Sequence, residues 1–349
     1  MQVERLAAIA PVTAEWDDLA DRVGAAPWLR PGWIAAWHEA FGRGRLELLA
    51  ARGNGRLHGV LALERRHRAL TSPANWHTPE FAPLTDGADA ARALARSLFT
   101  AGCRRVTLAF VTEGDDAIDA CRTAATAAHC RVIVRTLERS PYVPVSGEWA
   151  AYEARRDSKL LRELRRRRRR LEEQGRLALE VVDGGARLDE LLDEGFAVEA
   201  AGWKGQAGTA ILGERGAERF YRAVARWAAA RGSLRLAFLR LDARPLAFDF
   251  GIEEGGVHYL LKTGYDPAYR AFAPGMLLRR EMLSRAFSLG LTRYELLGAD
   301  EPWKLSWAES THARKVMQAF AASPMGVVDW AAWSVGRPFV RRVMSWHWT

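Results

Sequence analysis

The 349-residue sequence predicts an α/β fold of the α+β kind, in which mixed, mostly antiparallel sheets are flanked by helices. Stretches with the two-residue period of strands alternate with stretches that have the 3.6-residue period of helices, and they do so in both halves of the chain. The chain is longer than one hydrophobic core usually supports, and 49% of its residues are apolar. Two well-packed domains are therefore expected.

The first half alternates helices and strands around one strong hairpin signal, Gly53-Asn54-Gly55. A segment rich in helix and strand breakers, 140–147, marks the expected end of a first domain at residue 145. The predicted helices of this domain are 16–23, 31–41, 86–101 and 115–128, and its predicted strands are 46–51, 57–63, 105–110 and 131–137.

The second half repeats this order of elements without a detectable sequence repeat. We expect a basic helical arm or linker at 146–175, a second domain at 176–322 and a tail rich in Trp and Arg at 323–349. After the basic helix, the predicted helices are 188–202, 214–231 and one that begins at Gly275; the predicted strands are 177–182, 234–241, 246–253, 257–262, 293–297 and 313–321.

Nearly all of the net charge of +9 lies in the basic arm, since residues 155–170 contain ten basic and two acidic side chains. Six consecutive arginines cover every face of a helix, and the nearby leucines provide a partial apolar stripe. A solvated arm is one interpretation of this pattern. The alternatives are a contact with a phosphate-bearing donor, coenzyme A or tRNA, or with an acidic membrane or polysaccharide surface.

Composition also argues against several other classes of protein. No run of 18 residues is free of charges and breakers, so no stable membrane insertion is expected, and the N-terminus lacks the layout of a signal peptide. Three cysteines without paired spacing indicate reduced thiols, and no His or Cys grouping indicates a metal site. A cytoplasmic location is expected, with peripheral membrane contact through the tail as an alternative.

The segment 257–298 is the most informative part of the chain. An apolar strand is followed by a turn, which Asp266 is expected to initiate by a hydrogen bond to the nearby backbone, then by a helix opened by Pro274-Gly275, and then by a second strand. The first N–H groups of such a helix lack intrahelical partners, and they favour a phosphate or a developing oxyanion. This arrangement predicts the pocket of a transferase.

The same segment resembles the acyl-CoA-binding segment of the GNAT acetyltransferases. Their pyrophosphate loop has the pattern Arg/Gln-x-x-Gly-x-Gly/Ala, and the stretch from Arg270 to Gly275 agrees with it at the Arg and at the last Gly. It departs at Ala273, which replaces the first Gly, and at Pro274, which has no N–H to donate. Since one donor is missing, the loop leaves the nature of the donor open.

A larger part of the chain resembles the FemAB-like branch, in particular the CelD-type acetyltransferases associated with bacterial cellulose synthesis. The matching segments are 158–175, 201–211, 244–250, 259–278 and 296–307, with a looser match at 27–42. The resemblance implies two tandem GNAT-like domains with a cleft between them. It implies transfer of an acyl group, most simply acetyl, from acyl-CoA to an amine or hydroxyl of a sugar, polysaccharide or small metabolite.

Two other functions stay open. FemAB enzymes proper take an aminoacyl group from tRNA, and the arginine arm at 155–170 and the donor lost at Pro274 fit that alternative. The other alternative is a GNAT-like module that binds a ligand without catalysis.

Acyl transfer needs a base, a stabilised oxyanion and a leaving group that is held or protonated. Asp249, flanked by Phe on both sides in a predicted strand, is the candidate base, and a structural acid paired with an arginine is the alternative. Lys262 could stabilise an oxyanion or a phosphate, and Tyr265 could protonate the leaving group. Strand alternation puts Asp249 on the face opposite to its Phe neighbours.

Two further groups of residues are candidates for binding. Side chains and backbone near the start of the predicted helix are expected to contact acyl-CoA: Arg270, Ala273, Gly275, Met276, Leu277, Arg279 and Arg280. Aromatic, acidic and basic side chains in loops and at strand ends are expected to contact the acceptor: Trp203, Lys204, Asp300, Lys304, Trp76 and His77.

Overall fold

The fold is described from a computed structural model, which covers residues 1–99, 102–202 and 211–335. The strands are β1 (Gln2–Leu6), β2 (Arg45–Gly53), β3 (Arg56–Arg66), β4 (Ala69–Thr71), β5 (Leu84–Thr85), β6 (Arg105–Thr112), β7 (Arg131–Pro144), β8 (Leu177–Val182), β9 (Leu234–Leu241), β10 (Arg244–Glu254), β11 (Val257–Tyr265), β12 (Arg293–Glu295) and β13 (Ser310–Phe320). The helices are α1 (Thr13–Arg22), α2 (Pro31–Phe41), α3 (Ala88–Phe99), α4 (Asp116–Ala127), α5 (Trp149–Ala154), α6 (Ser158–Glu172), α7 (Leu188–Ala201), α8 (Ala217–Ala230), α9 (Pro274–Ser288), α10 (Pro302–Leu305) and α11 (Pro324–Val335). Within these ranges, no helix has both the length and the apolar character that crossing a bilayer requires.

The chain divides into two compact units. One contains Met1–Glu138 together with the described residues from Ala313 onward, and the other contains Arg139–His312. The predicted domain limits at residues 145, 175 and 322 stay a prediction.

The first unit follows the order strand, two helices, hairpin strands, helix and parallel strand. Its strands lie in the order β1-β2-β3-β4-β6, followed by the part of β13 from Ala313 onward, with β5 beside β3, and β4 pairs with β6 in parallel. Apolar side chains from β3, β6, α3 and α4 form its core. The first part of the predicted tail, α11, packs back onto this unit, where Asp329 pairs with Arg104 at 2.8 Å. The tail beyond Val335 lies outside the described residues.

From β8 onward the second unit has the same order of elements. Its strands lie in the order β7-β12-β11-β10-β9-β8, and β7 belongs to it from Arg139 onward. The helices α5, α6 and α9 cover one face of this sheet and share a core with β9 and β10. The helices α7 and α8 cover the other face, where Gly195 of α7 lies against the ring of Phe248. We call these the α9 face and the α7 face.

Most predicted elements are present, and the differences have local causes. The predicted strand 131–137 continues as β7 to Pro144, because its last residues pair with β12. The predicted strand 257–262 continues to Tyr265 and is followed by a 3₁₀ helix at Pro267–Phe272. Asp266 was expected to initiate this turn, and its side chain accepts a hydrogen bond from the N–H of Ala268 at 2.9 Å, which confirms it.

Candidate active site

The parallel strands β11 and β12 separate at one end of the second sheet. They pair over only three positions, from Val257 with Arg293 to Tyr259 with Glu295. Beyond that point β11 continues to Tyr265, while the N–H of Leu296 donates to the carbonyl oxygen of Pro141 at 3.0 Å. Ligands of open α/β sheets bind outside the carboxyl ends of the strands. This opening is therefore the candidate active site.

A β-bulge on β11 decides which face the candidate side chains occupy. Leu260 pairs with Gly251 and Lys262 pairs with Phe250, so that Leu261 is the extra residue. The bulge turns Lys262 to the α7 face, where its ammonium lies 5.5 Å from the ring centre of Tyr221. Without the bulge, strict alternation from Leu260 would place Lys262 on the α9 face.

Tyr265 lies on the α9 face, at the first turn of α9. A Cβ atom added to Gly275 would lie 3.5 Å from Cδ1 of Tyr265. Asp249 shares this face, since its carboxylate contacts Arg279 of α9. The three predicted catalytic residues therefore divide between the faces, with Asp249 and Tyr265 on one and Lys262 on the other.

Asp249 forms a buried ion pair with Arg279. The Nη2 atom of Arg279 lies 2.8 Å from each carboxylate oxygen, and neither residue is exposed to solvent. Arg279 also donates to the hydroxyl of Tyr294. This geometry favours the structural alternative for Asp249, because the guanidinium already engages both of its carboxylate oxygens. The same pairing engages Arg279, which was predicted to contact the phosphates of the donor.

A buried polar network continues from this pair along the α9 face. The ring of His258 stacks on that of Tyr294 with 4.4 Å between the ring centres. Its Nδ1 lies 3.0 Å from a carboxylate oxygen of Glu253, which also pairs with Arg285 and Arg235. Burial lowers the pKa of His258 below its ordinary value of 6.5, although the interaction with Glu253 acts in the opposite direction.

We expect this histidine to make stability depend on pH. Below pH 6.5 the unfolded chain takes up a proton at His258, whereas the folded chain keeps the imidazole neutral. The free energy of unfolding should therefore fall as the pH is lowered from 6.5, by up to about 1.4 kcal/mol per pH unit from this group. Urea denaturation at pH 7.5, 6.5 and 5.5 measures it. His258→Phe should lose this part of the slope, and equal slopes in the two proteins would contradict the assignment.

The loop before α9 offers fewer amide donors than expected. Ala273 adopts a left-handed backbone with φ of +50°, and its carbonyl oxygen accepts from the N–H groups of Met276 (3.0 Å) and Leu277 (3.1 Å). Pro274 has no N–H, whereas the N–H of Gly275 has no hydrogen-bond partner among the described residues. Arg270, in the same part of the chain, has no ion-pair partner there either.

The other residues predicted to bind acyl-CoA already make contacts within the protein, to different degrees. Leu277 is a buried core residue, and Met276 is half-buried against the same core. Arg280 forms an ion pair with Glu153 of α5 at 2.6 Å and lies 3.3 Å from Glu281. None of these three side chains is free to move toward a ligand without giving up an existing contact.

The predicted basic arm contains the helix α6, which belongs to the second unit and packs on its core. Asp157 caps its start, with Oδ1 2.7 Å from the N–H of Lys159, and Leu161 and Leu164 are buried. At its other end the guanidinium of Arg170 lies 5.6 Å from the ring centre of Phe272. The arginine helix therefore ends beside the loop that leads into α9.

The arginines of α6 differ in their partners. Arg166 and Arg167 pair with Glu163, and Arg168 pairs with Glu172 and Glu281. In contrast, Arg165 and Arg169 are exposed and have no ion-pair partner in the described part of the chain. These two lie one helical turn apart, so they present positive charge to solvent on one side of the helix.

The predicted acceptor residues that the structure describes differ in their environments. Lys304 is buried, and its ammonium contacts the carbonyl oxygens of Leu297 (2.7 Å) and Ala299 (3.1 Å) within its own loop, while Asp300 is exposed. The predicted contacts at 203–204 (Trp203 and Lys204) lie outside the described residues. His77 and Trp76 belong to the first unit, where His77 is buried with its ring stacked on Phe41 and Trp76 is exposed.

Further polar residues lie on the α7 face. Glu199 of α7 is buried, and its Oε2 accepts from the N–H of Ile211 at 2.9 Å. A Cβ atom on Gly264 would lie 2.4 Å from Cα of Glu199, so only glycine allows α7 to approach β11 this closely. Glu295 and His312, which are 17 residues apart, meet beside the opening. No local motif signals that pair, because its members are joined only by the sheet.

Comparison with known proteins identifies the domain that contains this opening. Residues 158–305 match the family model described as an acetyltransferase (GNAT) domain. Among solved structures, the chain is similar to FemX, with a TM-score of 0.62, 11% identity, and coverage of 99% of this chain and 100% of that one. No curated protein matches the chain.

Two other solved structures show the same similarity. One is the C-terminal domain of a protein from Agrobacterium fabrum described as a lysylphosphatidylglycerol synthetase, with a TM-score of 0.58, 14% identity, and coverage of 93% and 95% of the two chains. The other is a conserved protein of unknown function from Bacteroides thetaiotaomicron, with a TM-score of 0.58, 13% identity, and coverage of 88% and 97%.

Identities this low establish the fold, and the family match supports acyl transfer as the chemistry. The CelD-type branch is not distinguished from its relatives by these similarities and stays a prediction. The fold prediction is confirmed in its architecture: the chain has a mixed α/β fold whose mostly antiparallel strands are flanked by helices, and the match to the acetyltransferase (GNAT) domain falls within the second unit.

Proposed function

We propose that this protein transfers an acyl group from acyl-CoA to an amine or hydroxyl acceptor of the sugar, polysaccharide or small-metabolite class. One observation carries the proposal: the opening between β11 and β12 lies next to the start of α9, within the segment that matches the GNAT domain. A thioester in this opening would have Tyr265 and the N–H of Gly275 beside it.

Guanidinium groups compensate for the amide donors that the loop lacks. The N–H of Gly275 supplies one hydrogen bond, and the charge comes from Arg270 within the loop and from Arg170 at the end of α6. Arginine binds phosphate with charge-assisted and often bidentate hydrogen bonds. The site therefore suits a donor that carries phosphates, as coenzyme A does.

The two faces of the sheet give the donor and the acceptor separate approaches. Phosphates at the start of α9 place the donor on the α9 face, where Tyr265 can give its proton to the departing thiolate. Lys262, turned to the α7 face by the bulge, can stabilise the oxyanion from the acceptor's side. Asp249 keeps Arg279 in place and has a structural role in this proposal.

Gly275→Val is expected to weaken acetyl-CoA binding at least tenfold. A side chain at this position meets Tyr265 at ordinary contact distance, so the fold should tolerate it, but its methyl groups occupy the space in front of the helix. Isothermal titration calorimetry with CoA and acetyl-CoA measures the effect. The matched control is Gly87→Val, a position with open space around it in the first unit.

Three outcomes would contradict the proposal. Absence of heat with either ligand at millimolar concentration would exclude coenzyme A as the donor. Equal affinity in the wild type and in Gly275→Val would exclude the start of α9 as its site. If acetyl-CoA binds but no amine or hydroxyl acceptor causes release of the CoA thiol, the non-catalytic module is favoured.

A second candidate is transfer of an aminoacyl group from tRNA. The exposed arginines Arg165 and Arg169 favour it, because a nucleic acid needs unpaired positive charge next to the donor site. Titration with aminoacyl-tRNA at 50 and 200 mM salt separates the candidates. The double substitution of Arg165 and Arg169 by Glu should abolish salt-sensitive tRNA binding if tRNA is the donor, and tRNA binding that is absent or independent of salt excludes it.

A further inference from the structure

We propose that His312 is the base that removes the proton from the acceptor, and that Glu295 positions it; this rests on the proposed acyl transfer. Both residues belong to the second unit and form a hydrogen-bonded pair on the α7 face. His312 lies beyond the segment that matches the acetyltransferase domain.

Glu295 occupies the last paired position before the opening. It pairs with Tyr259 on β11 and with Tyr142 on β7, and no later residue in the described part of the chain pairs with β11. Its neighbour Tyr294 contacts Arg279 on the α9 face, so strand alternation turns Glu295 to the α7 face. A thioester between the two strands would therefore have Glu295 at its acceptor side.

The carboxylate of Glu295 is almost completely buried, at 2% exposure. Its Oε1 lies 3.1 Å from Nε2 of His312 and 2.8 Å from Nε of Arg293. Its Oε2 has no hydrogen-bond partner among the described residues. A buried carboxylate is stabilised by the donors that reach it, so it holds the imidazole through Nε2–H.

This hydrogen bond selects the tautomer of His312. When Nε2 carries the hydrogen and donates to Glu295, the lone pair lies on Nδ1. The ring is fixed by stacking on Tyr142, with 4.2 Å between the centres and 10° between the planes. The side chain is 24% exposed, and Nδ1 has no partner in the described part of the chain. A proton acceptor is thus oriented by two contacts, on a side chain that is partly exposed.

The other acids near the opening are less suited to this task. Asp249 is on the opposite face and paired with Arg279. Glu199 lies on the α7 face but is buried, and one of its oxygens already accepts from Ile211. His312 alone among these candidates combines exposure with a second residue that orients it, which is the arrangement of an activated base.

The proposed step is balanced. Nδ1 of His312 takes the proton from the acceptor's amine or hydroxyl as its nitrogen or oxygen forms a bond to the thioester carbon. The carbon–sulfur bond then breaks, and the thiolate takes a proton from Tyr265. Tyr265 is reprotonated through solvent by the proton that His312 releases, so no other reactant is needed.

Bromoacetyl-CoA tests this placement without knowledge of the acceptor. It carries an electrophilic carbon where the acyl group would lie; an imidazole nitrogen attacks that carbon, the carbon–bromine bond breaks, and bromide leaves. We expect peptide mass spectrometry to find His312 alkylated at least tenfold faster by bromoacetyl-CoA than by bromoacetate. Excess CoA should abolish the difference. The exposed His129 of the first unit is the internal control and should show no such preference.

Glu295→Gln tests the positioning role. It should slow alkylation of His312 about tenfold or more while the calorimetric Kd for CoA stays unchanged, because glutamine no longer fixes the tautomer. Alkylation confined to another residue in wild-type protein that binds CoA would overturn the assignment and leave the proposed function intact. Failure of CoA to bind would overturn both.

Discussion

Replacement of Asp249 by asparagine is expected to lower the free energy of unfolding by about 3–5 kcal/mol, the range found when one member of a buried ion pair is removed. The guanidinium of Arg279 would stay buried with no opposite charge, since its other partner is the neutral hydroxyl of Tyr294. Arg279→Met should cost a similar amount, because it leaves the carboxylate of Asp249 without its donor.

Denaturation in guanidinium chloride, followed by far-ultraviolet circular dichroism, measures this loss. The double variant Asp249→Leu with Arg279→Met should recover a large part of it, because apolar side chains often replace a buried pair at little cost. Asp89→Asn, at the exposed pair with Arg92, is the control and should cost less than about 1 kcal/mol. If Asp249→Asn lowers the free energy of unfolding by no more than this control does, the proposed importance of the Asp249–Arg279 pair is contradicted.

Tyr265→Phe is expected to lower kcat for acyl transfer by about 10²-fold, the lower end of the contribution of general acid–base catalysis. The loss of one hydroxyl leaves the half-buried ring in contact with the start of α9, so acetyl-CoA should bind with unchanged affinity. Thiol release from acetyl-CoA, with the acceptor that gives the fastest release in the wild type, measures kcat.

The control for this variant is Tyr269→Phe. Tyr269 is the next tyrosine along the chain and stacks with Arg244, at 5.0 Å from the guanidinium carbon to the ring centre. The Tyr269→Phe variant should retain a kcat close to that of the wild type. If both variants behave alike, or if Tyr265→Phe changes only KM, then Tyr265 does not protonate the leaving group.

The elements of the fold could be predicted because their causes are local. Strand alternation, helix periodicity and turn residues such as Asp266 act over a few positions, and these predicted elements are present in the structure. The departure of the loop at Ala273 and Pro274 from the GNAT pattern was also visible in the sequence, and the structure shows its consequence in the small number of free amides.

The site was less predictable because its geometry depends on contacts between distant positions. Asp249 and Arg279 are 30 residues apart and meet only because α9 lies over β10. The side to which Lys262 points depends on the bulge at Leu261, which no local composition indicates. The pair of Glu295 and His312 forms only in the folded chain, where both residues contact or pair with Tyr142 of β7.

The arginine helix shows the same limit. Its sequence predicted a basic helix with a partial apolar stripe, and both features are present. Which arginines form ion pairs depends on acidic residues in other elements. Glu281 of α9 pairs with Arg168, whereas Arg165 and Arg169 have no such partner among the described residues. Net charge alone could not separate a structural arginine from one that is available to a ligand.

Hydrogen–deuterium exchange of the full chain with and without acetyl-CoA tests the central claim most directly. The claim is that the donor lies in the opening between β11 and β12, against the start of α9. Acetyl-CoA should slow amide exchange in 260–265 and at Gly275, and leave the parallel strand pair of the first unit, β4 and β6, unchanged. Slowed exchange confined to the first unit, or no change in 260–265 at saturating ligand, would contradict it.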